Sequence, residues 1–364
     1  MVRIRTAWFV AAVAALALGG ACKKNDDAKK TDDKSAPKTT DQPAGGTPAT
    51  PGTTIAVNDA NASDLSLLPA DSEIVIGVNL AQIQQSALYK QFIAKFMDKA
   101  SGGLAEFKAN CGFDPVASIK SIAIGMKGLG GTGGAVPDGA VVIHGPDKAK
   151  VMACFNLDKA KSAALAKGTE LKVDGDIAFI KDKSGNTTAF TFVNDTTMLG
   201  VMGSKANADG VKEAAKGASA LKSSATFVDM YSKINTQDSL WALVNGNSHI
   251  LDKMGSLGIK PKAVFGSLNL TDGLTVDVRV RMATADEVKG FVGLAQGQIA
   301  SPQVKQLFDQ LDVVGDGNDA KFTVKMSAVK LQALVTMIQS TMGAMMGGMG
   351  GGGGGMGGGM GGTP

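Results

Sequence analysis

Apolar and polar positions alternate from Ile74 through Ile76 to Val78, after a turn at Pro69 and Asp71, and predict a half-buried strand that opens the folded part of the chain. The next stretch, residues 81–100, places Ile83, Leu88, Phe92, Phe96 and Met97 on one stripe at helical spacing. A turn and a second strand follow in "CGFDPVASIKSIAIGMKG", a third strand in "DGAVVIHG", and a helix over about 147–167. From 169 to 203 the pattern alternates again. With "VDGD" and "DKSGN" as hairpin turns it predicts two or three antiparallel strands, and a short helix near 207–216 closes the half.

The second half repeats this outline. "QDSLWALVNGN" answers "ADSEIVIGVNL", "KPKAVFGSL" answers "SIKSIAIGM", "TDGLTVDVRV" answers "PDGAVVIHG", and "TADEVKGFVGLA" answers "GPDKAKVMACF". Four matches in one order point to an internal duplication of a strand-helix-strand-strand-helix module. The second copy continues through a helix "SPQVKQLFDQL", a strand "AKFTVKMSAV" and a terminal helix at 330–345. Short connections favour an α+β fold of antiparallel sheets with helices packed on one face. The implied layout is a leader at 1–21, a disordered tether at 22–63, repeats at 64–220 and 221–345, and a disordered Gly/Met-rich tail at 346–364.

Composition changes the picture at the ends. Arg3 and Arg5 precede an apolar run from Ala7 to Ala21, the length of a secretory leader and short of the ~20 residues that span a bilayer. The small residues Gly19, Gly20 and Ala21 before Cys22 resemble the lipobox of bacterial lipoproteins, which implies acylation of Cys22 and removal of the leader. Leu18 stands four residues before that cysteine, where the family places it three before. Ala15, Leu16 and Ala17 offer the alternative of an ordinary A-x-A cut that leaves Cys22 a free thiol. From Lys23 to about Ser63 the chain is Lys, Asp, Pro, Thr and Gly without apolar periodicity, a composition that cannot offset its ordering entropy. With 37 basic and 33 acidic residues the formal charge is +4, too weak a field for a nucleic-acid partner.

Catalytic motifs lack their structural context. Gly128 to Gly133 spell G-x-G-x-x-G, yet the sequence runs on into another strand rather than the helix that a dinucleotide needs. Ser219 with Lys222 and Ser327 with Lys330 match S-x-x-K, but the only K-T-G-like element, Lys183 to Gly185, precedes both. His144 and His249 have no neighbours at ligand spacing, and each reads as exposed or hydrogen-bonded. Asp316 to Asp319 open like a calcium loop, but Ala320 stands where an oxygen ligand belongs, so this is a turn. The methionines from Met342 to Met360 could hold Cu(I), against a large glycine ordering cost. No catalytic residue, cofactor or metal is expected from these motifs.

The lipobox-like leader, the polar tether and "LPADSEIVIGVNL" together resemble bacterial envelope lipoproteins, including families of unknown function. That resemblance carries no site residues. It implies an envelope address, with Lys23 after the cysteine favouring the outer membrane, anchorage to the membrane through Cys22, and an envelope protein as partner. In that oxidising compartment, acylation of Cys22 leaves Cys111 and Cys154 as an even pair, expected to form a disulfide. The expected role is a non-enzymatic interaction or structural module. The alternative is a carrier of lipid or a small hydrophobic ligand in an apolar cavity.

Overall fold

A computed structural model describes residues 64–347 apart from 88, 91–101, 129–136, 167, 218–219, 252–253 and 255–258. The expected leader, the tether and all of the Gly/Met-rich tail after Gly347 lie outside the described residues; Met346 and Gly347, placed in the tail, end the last helix. The chain divides into 1–58 and 59–364, and the fold described belongs to the second unit.

Twelve strands form one antiparallel sheet in the order β11-β12-β10-β9-β8-β1-β2-β3-β7-β6-β5-β4. They are β1 (Ile74–Asn79), β2 (Ser121–Lys127), β3 (Asp138–His144), β4 (Glu170–Asp174), β5 (Ile177–Lys181), β6 (Thr187–Asn194), β7 (Thr197–Met202), β8 (Leu240–Asn245), β9 (Ala263–Asn269), β10 (Gly273–Arg281), β11 (Gln310–Asp316) and β12 (Asp319–Ser327). The described helices are α1 (Leu80–Gln85), α2 (Gly102–Cys111), α3 (Pro115–Ser118), α4 (Lys148–Asn156), α5 (Asp158–Ala166), α6 (Ala208–Ala215), α7 (Ala225–Ser232), α8 (Ala285–Ile299), α9 (Pro302–Leu307) and α10 (Ala328–Gly347). The mixed fold with a large antiparallel sheet is the one expected.

The two sequence halves meet at the β1–β8 pair, where Ile74 lies opposite Val244 and Val78 opposite Leu240. Outward from this seam the order is β1-β2-β3-β7-β6 on one side and β8-β9-β10-β12-β11 on the other; the first side continues into β5 and β4. Backbone details recur as well. Lys120 N–H donates to His144 O and Lys262 N–H to Arg281 O, each bond joining the last residue of the third strand outward to the start of the second. Three residues later a side chain caps a helix in both halves, Asp147 accepting from Lys150 N and Thr284 from Glu287 N.

Helices cover both faces of the sheet, where one covered face was expected. Val75, Leu243 and Phe265 point to one side and pack with Phe227, Met230 and Tyr231 of α7. Their neighbours Ile74, Val244 and Val264 point to the other and pack with Val288, Phe291 and Val292 of α8. The reason is legible in "IVIGV" and "LWALV": a near-continuous apolar run supplies both faces of a strand, whereas one solvated face demands alternation.

Other elements are shorter than their patterns suggest. The stripe from Ile83 is broken because α1 ends at Gln85, where Ser86 turns extended and its hydroxyl donates to Ile83 O at 2.7 Å; residues 91–101 lie outside the described set. The helix expected over 147–167 is divided at Leu157 into α4 and α5. The region 169–203 holds four strands rather than two or three. "SPQVKQLFDQL" stops being helical at Leu307, and its last two residues, Gln310 and Leu311, open β11.

Gly77 is the tightest joint of the seam. It faces Trp241 across the β1–β8 pair, and a Cβ added there would lie 2.0 Å from Trp241 Cε2. The indole is 2% exposed and held edge-on by Tyr231 at 5.5 Å, so it has no room to withdraw. Gly77→Ala is expected to lower unfolding free energy by ~3 kcal/mol in a denaturant titration, the upper part of the overpacking range. An unchanged midpoint would contradict this packing.

Candidate functional site

Cys111 ends α2 and Cys154 lies inside α4; their Cα atoms are 5.0 Å apart and the two form a disulfide, the pairing expected. Cys154 is buried, so the bond ties α2 to a helix that already contributes core residues. Cys22 lies outside the described residues.

The polar chemistry gathers on the α7 face, in corresponding places of the two halves. His144, the last residue of β3, lies opposite Thr197, the first of β7. Its Nδ1 is 3.1 Å from Thr197 Oγ1 and its Nε2 2.6 Å from Oδ1 of the buried Asp64. Arg281, the last residue of β10, lies opposite Asp319, the first of β12. Its Nε and Nη2 donate to Asp319 Oδ1 and Oδ2 at 2.7 and 3.0 Å, and its Nη1 reaches Asp229 Oδ2 on α7 at 2.6 Å. One cluster thus rests on a histidine, the other on an arginine, and each receives a carboxylate from the segment laid over the sheet.

The second cluster is the more highly charged. Lys233 Nζ adds a 3.2 Å contact to Asp319 Oδ2, and Arg281 lies 5.0 Å over the Phe265 ring. Burial opposes ionisation of Asp319, but hydrogen bonds from Arg281 and Lys233 outweigh it and hold the carboxyl below the usual range. The same bond to Asp319 raises Arg281 further above its ordinary value. Outward along the face, Arg279 pairs with Asp316 at 2.6 Å and Lys321 with Asp277 at 2.7 Å. Paired opposite charges therefore link β10, β12 and β11 on this side. Their signal in the sequence is the period-two spacing of "DVRVR" and "DAKFTVK", which belongs to no local catalytic motif.

The remaining motif residues do not converge. The strand β3 follows the Gly128 loop, whose residues 129–136 lie outside the described set, and Asp316 to Asp319 form a two-residue hairpin turn in which Gly317 has φ 61°. Ser327 ends β12, Ser219 is not described, and His249 begins a 3₁₀ turn. Among the described residues no group of three His, Cys, Asp or Glu is placed to hold a metal ion, and no helix is long and apolar enough to cross a membrane. Two concavities are open grooves: one of about 600 Å³ beside α10, lined by Val329, Ala333 and Met337, and one of about 400 Å³ along β11, lined by Ile299, Leu311 and Val314.

No protein-family profile and no curated protein matches the chain. A solved structure titled "Structure of crystal form III of TP0453" is similar at a TM-score of 0.45 and 8% identity, over 75% of this chain and 97% of that one. A likeness of this depth assigns neither family nor role.

Proposed function

We propose that this chain is a non-enzymatic, lipid-anchored protein of the bacterial cell envelope, held at the outer membrane through Cys22, whose duplicated α+β region is an interaction or structural module. The observation that carries the reading is the filled interior. Phe227, Phe265, Met230, Leu199 and Leu243 are fully buried on one face of the sheet, and a second core occupies the other. A slab packed in this way offers recognition chemistry at its surface, which favours an interaction module over a carrier of an apolar ligand. The Cys111–Cys154 disulfide supports the envelope address, since such bonds persist in oxidising compartments. Duplication is supported by the matching strand orders on either side of the β1–β8 seam and by the recurrent helix caps.

Native mass spectrometry of the membrane-extracted protein separates this reading from the carrier. An interaction module appears with no lipid beyond its own anchor. A stoichiometric second lipid that survives extraction would reverse the assignment.

A further inference from the structure

We infer that β11 is the edge through which two copies of this chain join, antiparallel and two-fold about Val313, into one continuous sheet. This deepens the interaction reading by naming the partner. The sheet has two ends. At the β4 end Glu170, Lys172 and Asp174 stand exposed along a five-residue strand packed against α5, a short and charged edge that discourages pairing. At the β11 end the exposed residues are Asp312, Val314, Gly315 and Asp316; Arg279 holds Asp316, Val314 is 50% exposed, and a groove follows the strand.

The register fixes which backbone groups are free to pair. Met282 N–H donates to Asn318 O at 2.8 Å, so the even-numbered residues of β12 bond toward β10 and the odd-numbered ones toward β11. Those odd residues lie opposite Gln310, Asp312, Val314 and Asp316. The N–H and C=O groups of Leu311, Val313 and Gly315 therefore point out of the sheet. Gln296 of α8 donates to Val313 O at 3.0 Å, which agrees with that direction and leaves the second lone pair of the carbonyl for a partner.

Charge disfavours the two registers on either side of one centred on Val313, the register that pairs the whole strand. A two-fold about residue 312 would set Asp312 against Asp312, and one about residue 314 would set Asp312 against Asp316. Centred on Val313, each Asp312 faces Val314 of the other copy and each Gln310 amide faces an Asp316 carboxylate. On the α8 face this register brings Leu311 over Gly315 of the other copy, whose own missing side chain leaves Val288 as the nearest group, 3.3 Å from where a Cβ would stand. The interface is isologous and closes after two copies.

Sedimentation equilibrium of the full-length chain tests this with two variants of the exposed position. The wild type is expected to form a concentration-dependent dimer. Val314→Asp sits opposite Lys321 within its own chain, a favourable pair, but opposes Asp312 of the second copy at two places, and should weaken the dimer roughly tenfold or more. Val314→Lys faces Asp312 instead and should keep the dimer. A monomeric wild type, a Val314→Asp variant as dimeric as the wild type, or a Val314→Lys variant as dissociated as Val314→Asp would each overturn the inference. None of these would disturb the native-mass test, so failure here and failure of the interaction reading remain distinguishable.

Discussion

Replacing Asp319 by asparagine is expected to destabilise the fold by ~2 to 4 kcal/mol, as breaking one side of a buried ion pair does when its partners are partly exposed. The Asp319 side chain is 2% exposed, and the substitution leaves the Arg281 and Lys233 cations facing a neutral amide. Removing the pair as a unit, with Arg281→Met and Asp319→Leu, should cost far less, because the charges that stay behind, Lys233 and Asp229, pair with each other at 3.6 Å. The pH dependence follows from the sign of the shift. Asp319 is held below its ordinary value, so its contribution is complete above the unfolded carboxylate range near pH 4 and is lost as pH falls through the lower folded value. Urea titrations of wild type and Asp319→Asn at neutral and acid pH should therefore converge in acid. A constant difference across pH, or a neutral-pH loss of less than roughly 0.5 kcal/mol, would contradict the ion-pair account.

Loss of the disulfide should have an effect of similar size by another route. Cys111 and Cys154 close a loop with a sequence separation of 43, which the chain-entropy relation converts to about 4 kcal/mol acting on the unfolded chain. That is a large share of a typical total stability of about 5 to 15 kcal/mol. A reductant should lower the denaturation midpoint of the wild type to that of the Cys111→Ser, Cys154→Ser double variant, while leaving the variant unmoved. A wild type indifferent to reductant would show that the bond adds nothing to the fold.

What the chain discloses before folding depends on how local each cause is. The strands β1, β3 and β12 are readable because their apolar spacing is set by their own neighbours, and the disulfide follows from counting thiols and assigning one to the membrane. β11 is hidden by its approach. Ser301 and Pro302 start a helix, and Val304, Leu307 and Leu311 carry helical spacing straight into the strand, so only "VVGDGN" announces the hairpin. The second covered face is written in the unbroken apolar runs of β1 and β8, where content rather than alternation carries the signal. The polar clusters were illegible for a different reason. Asp64 lies 80 residues from His144, and Arg281 lies 38 from Asp319, so only the strand order brings them together. Helix division at Leu157 has no motif behind it; the carbonyl of Cys154 takes the Leu157 N–H as the chain leaves α4.

Attachment at Cys22 is the claim on which the envelope reading stands. A single acyl chain gives only marginal membrane binding at about 0.8 kcal/mol per buried CH₂, so stable anchorage needs the two or three chains of a lipoprotein. Intact-mass measurement of the membrane-extracted protein decides it. The predicted species lacks Met1 to Ala21 and begins at a Cys22 carrying a diacylglyceryl group; a species beginning at Leu18 with an unmodified Cys22 thiol would contradict the account.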